Sequence, residues 1–349
     1  MNFQLLKIYF IGMNRFWFKY RNYLAWLLFV FATTISCNSD DKSNKQANDN
    51  TQKPTAFIAK APSFNEDSAF YWVQKQVEFG PRVPGSKAHA NCAAFIENTL
   101  KSYGLSVIVQ SAPVTTYDGK IFTIKNIIAS YKPDFQKRVL LLAHWDSRPI
   151  ADNDTKDENK AIDGADDGAS GVAVLLEIAR QISKADVKIG VDLFFSDLED
   201  YGQPDDSDKP KMQDSWCLGT QYWAKNLHVP NYTANYGILL DMVGAKGAVF
   251  PREGTGTYFA PDVVNKVWST AQKIGYGSYF IDDRTGNTTD DHLYVNTIAK
   301  IPCIDIVHMS PLTGSYGEHH HTHKDNLSII DKNILKVVGQ TVLEVLFQE

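Results

Sequence analysis

Side chains that could bind a metal or move a proton follow three short apolar runs, at residues 139–143, 191–195 and 238–240. Such runs are typical of strands buried on both faces of a mostly parallel sheet. Ligands bind at the carboxyl ends of such strands, so we expect these side chains to lie close together. In chain order they are His144 and Asp146, Glu199 and Asp200, and Asp241.

Two further groups complete this set. The pair Asp166-Asp167 comes just before a predicted helix at residues 171–182, and the sequence His-His-His-Thr-His occupies residues 319–323. Imidazole nitrogen and carboxylate oxygen are the donors that zinc takes in proteins. Any one of these residues alone is commoner as a helix cap or a surface charge. Their recurrence at one sheet edge favours a zinc site.

Two acidic features near these groups have different interpretations. Asp325 follows the histidine cluster and offers an acceptor that could orient the loop or a metal-bound ring. The segment with Asp152, Asp154 and Asp157 lacks the glycine and the closing glutamate of a calcium loop, so we interpret it as a solvated acidic loop.

The elements that must position these residues alternate between helix and strand. Helical periodicity covers residues 64–79, 87–103, 171–182, 261–274 and a last stretch from about residue 331, and strand patterns cover residues 105–114, 121–131 and 303–307 besides the three apolar runs. This alternation predicts an α/β fold, a three-layer αβα sandwich with a mixed, mostly parallel central sheet.

Composition limits the classes of function. The 349 residues are 44% hydrophobic and carry a net charge of −5, which suits one large folded domain and gives no basis for nucleic-acid binding. Four cysteines without a C-x-x-C pair exclude a disulfide-stapled scaffold and a structural zinc finger.

The N-terminus has the features of an export signal. Basic residues precede an apolar run at residues 23–35, which is shorter than the ~20 residues of a membrane-spanning helix. The run leads to Cys37, which predicts a lipoprotein signal over residues 1–37 with Cys37 as the lipidated residue. A plain signal peptide or a short anchor is the alternative, and the true start is Met1 or Met13.

A polar segment follows this signal. Residues 38–56 lack the apolar side chains needed for a core and are predicted to be a flexible tether, so residues 57–349 form a single domain. We expect an exported monomer held at the membrane by lipid on Cys37, on the periplasmic face or elsewhere in the cell envelope.

The assembled motifs resemble the zinc-dependent aminopeptidase superfamily and, within it, the animal-type glutaminyl cyclases (glutaminyl-peptide cyclotransferases). The superfamily motifs are His144-x-Asp146, Gly164-Ala165-Asp166-Asp167, Glu199-Asp200-Tyr201-Gly202, Leu240-Asp241-Met242 and His321-Thr322-x-x-Asp325. The resemblance to cyclases in particular rests on Asn126-Ile127-Ile128-Ala129, Asp241-Met242-Val243-Gly244-Ala245 and Asp290-Asp291-His292, of which related peptidases share the Asp-His pair but not the extra carboxylate at Asp290.

The resemblance implies a zinc aminopeptidase-like fold with one Zn²⁺ per chain, bound by Asp167, Asp200 and His321. If the motif is aligned one residue earlier, Asp166 takes the place of Asp167 as the zinc ligand. Many relatives have Glu-Glu where this chain has Glu-Asp, and the disulfide near the active site of animal relatives has no counterpart here. His144 and Asp241 match the ligands of a second metal in the related peptidases.

The resemblance also implies the catalytic groups. Glu199 matches the acid/base, and Asp241 and Asp290 match carboxylates that share its hydrogen-bond network and raise its pKa by repulsion. Trp216 and Trp223 are candidate walls of the substrate pocket, although both could be core aromatics of the adjoining helix. Trp145 is expected to be buried against the sheet.

The activity implied is the closure of an N-terminal glutamine to pyroglutamate with release of ammonia, on peptides or exported proteins. The alternative is a dinuclear zinc aminopeptidase, because the ligand set alone does not separate the two reactions. A surface lipoprotein that binds without catalysis is a third hypothesis.

Overall fold

The computed structural model describes residues 57–349 of the chain, in which two helices and three strands precede an alternation of helices and strands. These residues lie within one compact unit, Ala56–Glu349. The predicted signal peptide with Cys37 and the predicted tether lie outside the described residues.

The described elements include two short non-α helices, a π-helix at Val295–Ala299 and a 3₁₀ turn at Leu327–Ile329. The α-helices are α1 (Glu66–Glu78), α2 (Lys87–Ser102), α3 (Ala169–Ile182), α4 (Leu218–Lys225), α5 (Gly254–Phe259), α6 (Pro261–Lys273), α7 (Asp291–Tyr294) and α8 (Lys332–Gln348). The strands are β1 (Ser106–Thr115), β2 (Ile121–Tyr131), β3 (Arg138–His144), β4 (Gly190–Ser196), β5 (Tyr236–Asp241), β6 (Phe250–Arg252), β7 (Phe280–Arg284) and β8 (Cys303–Val307).

The central sheet has the strand order β1-β2-β4-β3-β5-β8. The pairs β1/β2 and β2/β4 are antiparallel, and the pairs β3/β4, β3/β5 and β5/β8 are parallel. The prediction of a mixed, mostly parallel sheet is therefore confirmed. The parallel strands bring their carboxyl ends to one edge, where His144 and Asp241 are the last residues of β3 and β5.

Both faces of the sheet are covered, which confirms the three-layer prediction. Along β3, Leu141 packs in a large core with residues of α1, α2, α3, α6 and α8, whereas Leu140 and Leu142 pack on the opposite face with α4 and the π-helix. Because successive side chains of a strand point to opposite faces, a continuous apolar run is needed to fill both layers.

The predicted elements agree with the structure to within a few residues at their ends. The predicted N-cap is confirmed, because the Ser86 side chain accepts a hydrogen bond from the His89 backbone N–H. Sequence periodicity gave no bounds for the short helix α4 and missed the helices α5 and α7 and the two-stranded sheet of β6 and β7, which are too short to show a full period. Within residues 57–349, no helix combines the length and apolarity needed to cross a bilayer.

A buried ion pair holds the amino-terminal edge of the parallel strands. Arg138 at the start of β3 donates from Nε and Nη2 to the two carboxylate oxygens of Asp192 on β4, both at 2.7 Å. Ser130 and Tyr232 donate to the same carboxylate at 2.6 and 2.8 Å. With all of these donors in place, the buried charge of Asp192 is fully satisfied.

We expect Asp192→Ala to lower the free energy of unfolding by about 3–5 kcal/mol, because it leaves the buried Arg138 guanidinium without its counter-charge. Urea unfolding with an unchanged m-value would measure the effect. Asp186→Ala is the matched control, since Asp186 pairs with Lys132 at the surface. Equal urea midpoints for the two variants would contradict the assigned role of the buried pair.

Candidate active site

Apart from Trp223, the predicted site residues converge at the carboxyl edge of the parallel strands, and most of them line one pocket. Its walls are completed by loop residues that follow β4 and by the segment around the histidine cluster. The lining residues include Asp152, Asp167, Glu199, Asp200, Trp216, Asp241, Asp290, Tyr316, His320 and His321.

The three predicted zinc ligands lie together although they are far apart in sequence. Nε2 of His321 is 3.1 Å from Oδ1 of Asp200 and 3.8 Å from Oδ2 of Asp167. Both carboxylate oxygens of Asp200 are buried, and within residues 57–349 neither accepts a well-aligned hydrogen bond. A buried carboxylate without such partners is costly unless a cation neutralises it. The donor set and the unsatisfied oxygens therefore fit a zinc ion.

His144 lies on the other side of Asp167. Its Nε2 is 3.0 Å from Oδ1 of Asp167 and 3.2 Å from Oδ1 of Asp241, so these three residues form a second group with metal-ligand spacing. Burial opposes the charge of the His144 ring, but the neighbouring carboxylates of Asp146, Asp167 and Asp241 raise its pKa well above the ordinary value. Two groups of possible metal ligands thus lie side by side and share Asp167.

The two residues of the Asp166-Asp167 pair before α3 make different contacts. Asp166 turns away from the pocket, where its Oδ1 accepts from the Gly244 backbone N–H at 2.7 Å and its Oδ2 lies 2.8 Å from Nε2 of His319. Asp167 faces His144 and His321. This placement favours Asp167 over Asp166 as the ligand.

Two buried carboxylates hold the backbone of the acidic turns. Asp146 accepts hydrogen bonds from the backbone N–H groups of Glu199 and Asp200, both at 3.1 Å. Asp325 accepts from the N–H groups of Asp166 and Asp167 at 2.7 and 3.1 Å. Of the two roles considered for Asp325, the structure supports the orientation of a loop, because Asp325 holds the backbone of the loop that carries Asp167.

Most of the acidic loop with Asp154 and Asp157 is exposed, as expected, but Asp152 at its start is an exception. Oδ1 of Asp152 lies 3.3 Å from Nδ1 of His321 and accepts from Nε of the fully buried Arg148 at 2.6 Å. Asp152 is therefore the carboxylate that orients the His321 ring. Sequence patterns missed it because its partner is distant in the chain.

Glu199, Asp241 and Asp290 form a buried acidic group in the same pocket. Burial raises the pKa of Glu199 well above the ordinary value, and repulsion by Asp290 adds to it. The pKa of Asp290 is likewise raised by burial and then by Asp241, and burial raises the pKa of Asp241 to about 6. The expected repulsion is present, but burial is the larger cause.

Two residues beside this group were not singled out in the sequence. Cys217 donates from Sγ to Oε1 of Glu199 at 3.1 Å. Asp305 on β8 is buried near Asp290 and His292, and within the described part of the chain neither of its carboxylate oxygens has a donor. A single acid inside the apolar strand Cys303–Val307 is a signal that could have drawn attention to Asp305.

The two candidate tryptophans have different positions. Trp216 lines the pocket, stacked against His321 with ring centroids 5.8 Å apart and with the Arg148 guanidinium 4.6 Å from its ring centroid. Its ring lies against Gly202, where a Cβ atom would come within 1.9 Å of it.

Trp223 does not reach the pocket, so its assignment as a pocket wall was wrong. It is fully buried on the inner face of α4, stacked on Phe194 of the sheet and hydrogen-bonded to His228. Trp145 is buried as expected and stacks on His89.

Similar proteins with known descriptions share this architecture. The glutaminyl cyclase of Bacteroides thetaiotaomicron bound to N-acetylhistamine is 49% identical, covers 83% of this chain and 100% of its own, and superposes with a TM-score of 0.81. A Zn-dependent exopeptidase from Parabacteroides distasonis is 50% identical with the same coverage and TM-score. A glutaminyl-peptide cyclotransferase of Gloydius blomhoffii is 25% identical over 298 residues, 76% of this chain and 77% of that protein.

The family model described as Peptidase family M28 matches residues 126–346, a range that begins in β2 and extends into α8. It includes every predicted zinc ligand and the acid/base candidate Glu199. The superfamily resemblance of the motifs is thereby confirmed, and the chain belongs to peptidase family M28.

Proposed function

We propose that this protein is a zinc-dependent glutaminyl cyclase, an acyltransferase that converts the N-terminal glutamine of peptides and proteins to pyroglutamate and ammonia. The observation that carries the proposal is the 49% identity with the Bacteroides thetaiotaomicron glutaminyl cyclase over 83% of this chain. The buried acidic group beside the metal-ligand cluster supports it, because cyclisation needs a proton carrier next to the reacting amine.

One zinc ion per chain would be held by Asp167, Asp200 and His321. Two carboxylates and an imidazole are ligands that zinc accepts, and Asp152 would keep the His321 ring in the orientation for binding. When bound, zinc supplies a Lewis acid that polarises the side-chain amide of the substrate.

The chain's own part in the reaction is proton transfer by Glu199. The α-amine nitrogen of the substrate forms a bond to the side-chain amide carbon, and the bond from that carbon to its amide nitrogen breaks. Glu199 takes a proton from the attacking amine and delivers it to the leaving nitrogen, which departs as ammonia. A carboxylate with a raised pKa suits both halves of this transfer.

Asp241 and Asp290 support Glu199 as buried carboxylates, since Asp290 raises the pKa of Glu199 by repulsion and Asp241 raises the pKa of Asp290 in the same way. Trp216 supplies a flat wall next to His321, against which the substrate's side chain would lie. The amine and the amide belong to the same residue, so the reaction is intramolecular from the start; the pocket would contribute by holding the two groups in a near-attack geometry.

An aminopeptidase is the second candidate. The group of His144, Asp167 and Asp241 has the spacing for another metal, and the Parabacteroides distasonis relative is described as a Zn-dependent exopeptidase. Hydrolysis needs an activated water, commonly between two metals about 3.5–4 Å apart, whereas cyclisation carries its own nucleophile. Metal stoichiometry and substrate choice therefore separate the two.

Export and lipid anchoring rest on the sequence pattern around Cys37. On this proposal the substrates are exported proteins whose signal cleavage exposes glutamine. We expect full-length protein expressed in a bacterial host to fractionate with membranes and to incorporate labelled palmitate, and Cys37→Ser to lose the label. A labelled Cys37→Ser variant, or an unlabelled wild type, would contradict lipidation at this residue.

The two activities are distinguished by incubating the purified full chain with a glutamine-initiated peptide and with the same peptide initiated by leucine. We expect ammonia release from the first peptide, with a mass loss equal to one ammonia and no cleaved bond, and no change in the second. Ammonia assay and mass spectrometry measure these products. Free leucine from the second peptide would instead support the aminopeptidase.

Isosteric substitutions at the neighbouring residues Glu199 and Asp200 test whether the first is the proton carrier and the second a zinc ligand. Glu199→Gln should lower turnover by about a hundredfold or more and retain about one zinc per chain, because only the proton carrier is lost. Asp200→Asn should lose most of the zinc, because a neutral amide replaces a charged ligand. Zinc is measured by elemental analysis after dialysis. Unchanged turnover in Glu199→Gln, or full zinc content in Asp200→Asn, would reverse the assignment.

A further inference from the structure

A cysteine thiol lies directly behind the proton carrier. Sγ of Cys217 is 3.1 Å from Oε1 of Glu199, and both residues are buried. A thiol is a weak donor and a carboxylate is a strong acceptor, so the hydrogen runs from sulfur to oxygen. Among residues 57–349, no other side chain donates to the Glu199 carboxylate.

The backbone places this thiol with little freedom. The Cys217 backbone N–H donates to the carbonyl of Glu199 at 3.0 Å, and the Leu218 N–H donates to the carbonyl of Leu198 at 2.9 Å. Cys217 and Leu198 both adopt left-handed backbone conformations, with φ of 56° each, which residues other than glycine rarely take. The two turns are thus joined through the main chain as well as through the side chains.

The surroundings keep the thiol in its donor form. Burial raises the pKa of Cys217 well above the ordinary value, and the nearby carboxylates, including Glu199, act in the same direction. Glu199, Cys217 and Asp290 also lie close enough together to ligate a metal. A metal-bound thiolate would have no S–H group, so the two arrangements can be distinguished.

We propose that Cys217 is a positioning residue for Glu199. Its S–H group donates to one carboxylate oxygen, which fixes the rotation of the carboxylate and leaves the other oxygen to exchange the proton with the substrate. This inference rests on the proposed role of Glu199 as the proton carrier. Cys217 itself does not contact the reacting atoms in this assignment.

Serine and alanine at position 217 provide a matched pair, because they differ by the hydroxyl donor alone. We expect Cys217→Ala to lower kcat by about tenfold to a hundredfold with KM changed less than about twofold, as for the loss of a hydrogen bond to a charged group. Cys217→Ser should recover most of that loss. Cys92→Ala removes a buried thiol from α2 and should keep the wild-type kcat.

Equal kcat in Cys217→Ala and the wild type would overturn the proposal. Equal losses in Cys217→Ala and Cys217→Ser would also overturn it, because they would mean that the sulfur atom serves only to fill space. Thermal unfolding of each variant shows that the folded protein is being compared.

An infrared measurement tests the hydrogen bond without turnover. The S–H stretching band of Cys217, isolated by subtracting the spectrum of Cys217→Ser, should shift to higher wavenumber in Glu199→Gln, whereas the band of Cys92 should not move. A missing Cys217 band would indicate a thiolate, and an unshifted band would indicate no bond; either result overturns the proposal. If the wild type does not cyclise glutamine, the proposed function and the positioning role are refuted together, even if Glu199→Gln shifts the Cys217 band. If the wild type cyclises glutamine but Glu199→Gln does not shift the band, the positioning role alone is refuted.

Discussion

The structure of this site depends on the compensation of negative charge that is buried away from water. Asp200 has two buried oxygens without a well-aligned donor in the described part of the chain, and it lies beside Asp167 at the same edge of the sheet. Such charge is tolerable only with positive partners. The imidazoles of His144 and His321 supply part of the compensation, and a bound cation would supply the remainder. The fold thus concentrates negative charge that a bound cation would help to balance.

The acidic turns are positioned mainly through their main chain. Asp146 and Asp325 each accept two successive backbone N–H groups, and each pair of N–H groups belongs to a turn that carries a candidate ligand. A carboxylate that accepts two adjacent N–H groups fixes the orientation of the turn while leaving the ligand side chains free to face the pocket. The buried sheet behind these turns provides a rigid support, since β3, β4 and β5 are packed on both faces.

Much of this arrangement could be predicted from the sequence, because apolar runs locate buried strands and topology brings their carboxyl ends together. The convergence of Asp167, Asp200 and His321 follows from that rule together with the family resemblance. The contact of Asp152 with His321 could not be predicted, since a loop without periodicity gives no indication of what it touches. The error at Trp223 has a different origin. It lies on the inner face of α4 while Trp216 precedes that helix, and residue type alone does not reveal where a short helix begins.

The approach of Trp216 to Gly202 has a consequence for how this pocket could evolve. The indole rests on bare main chain, with no room for even a methyl group between them. Substitutions of Gly202 therefore cannot adjust the shape of the pocket at this wall in small steps. Accommodation of a bulkier substrate would have to come from replacing the indole itself or from remodelling other parts of the lining, which include Tyr316.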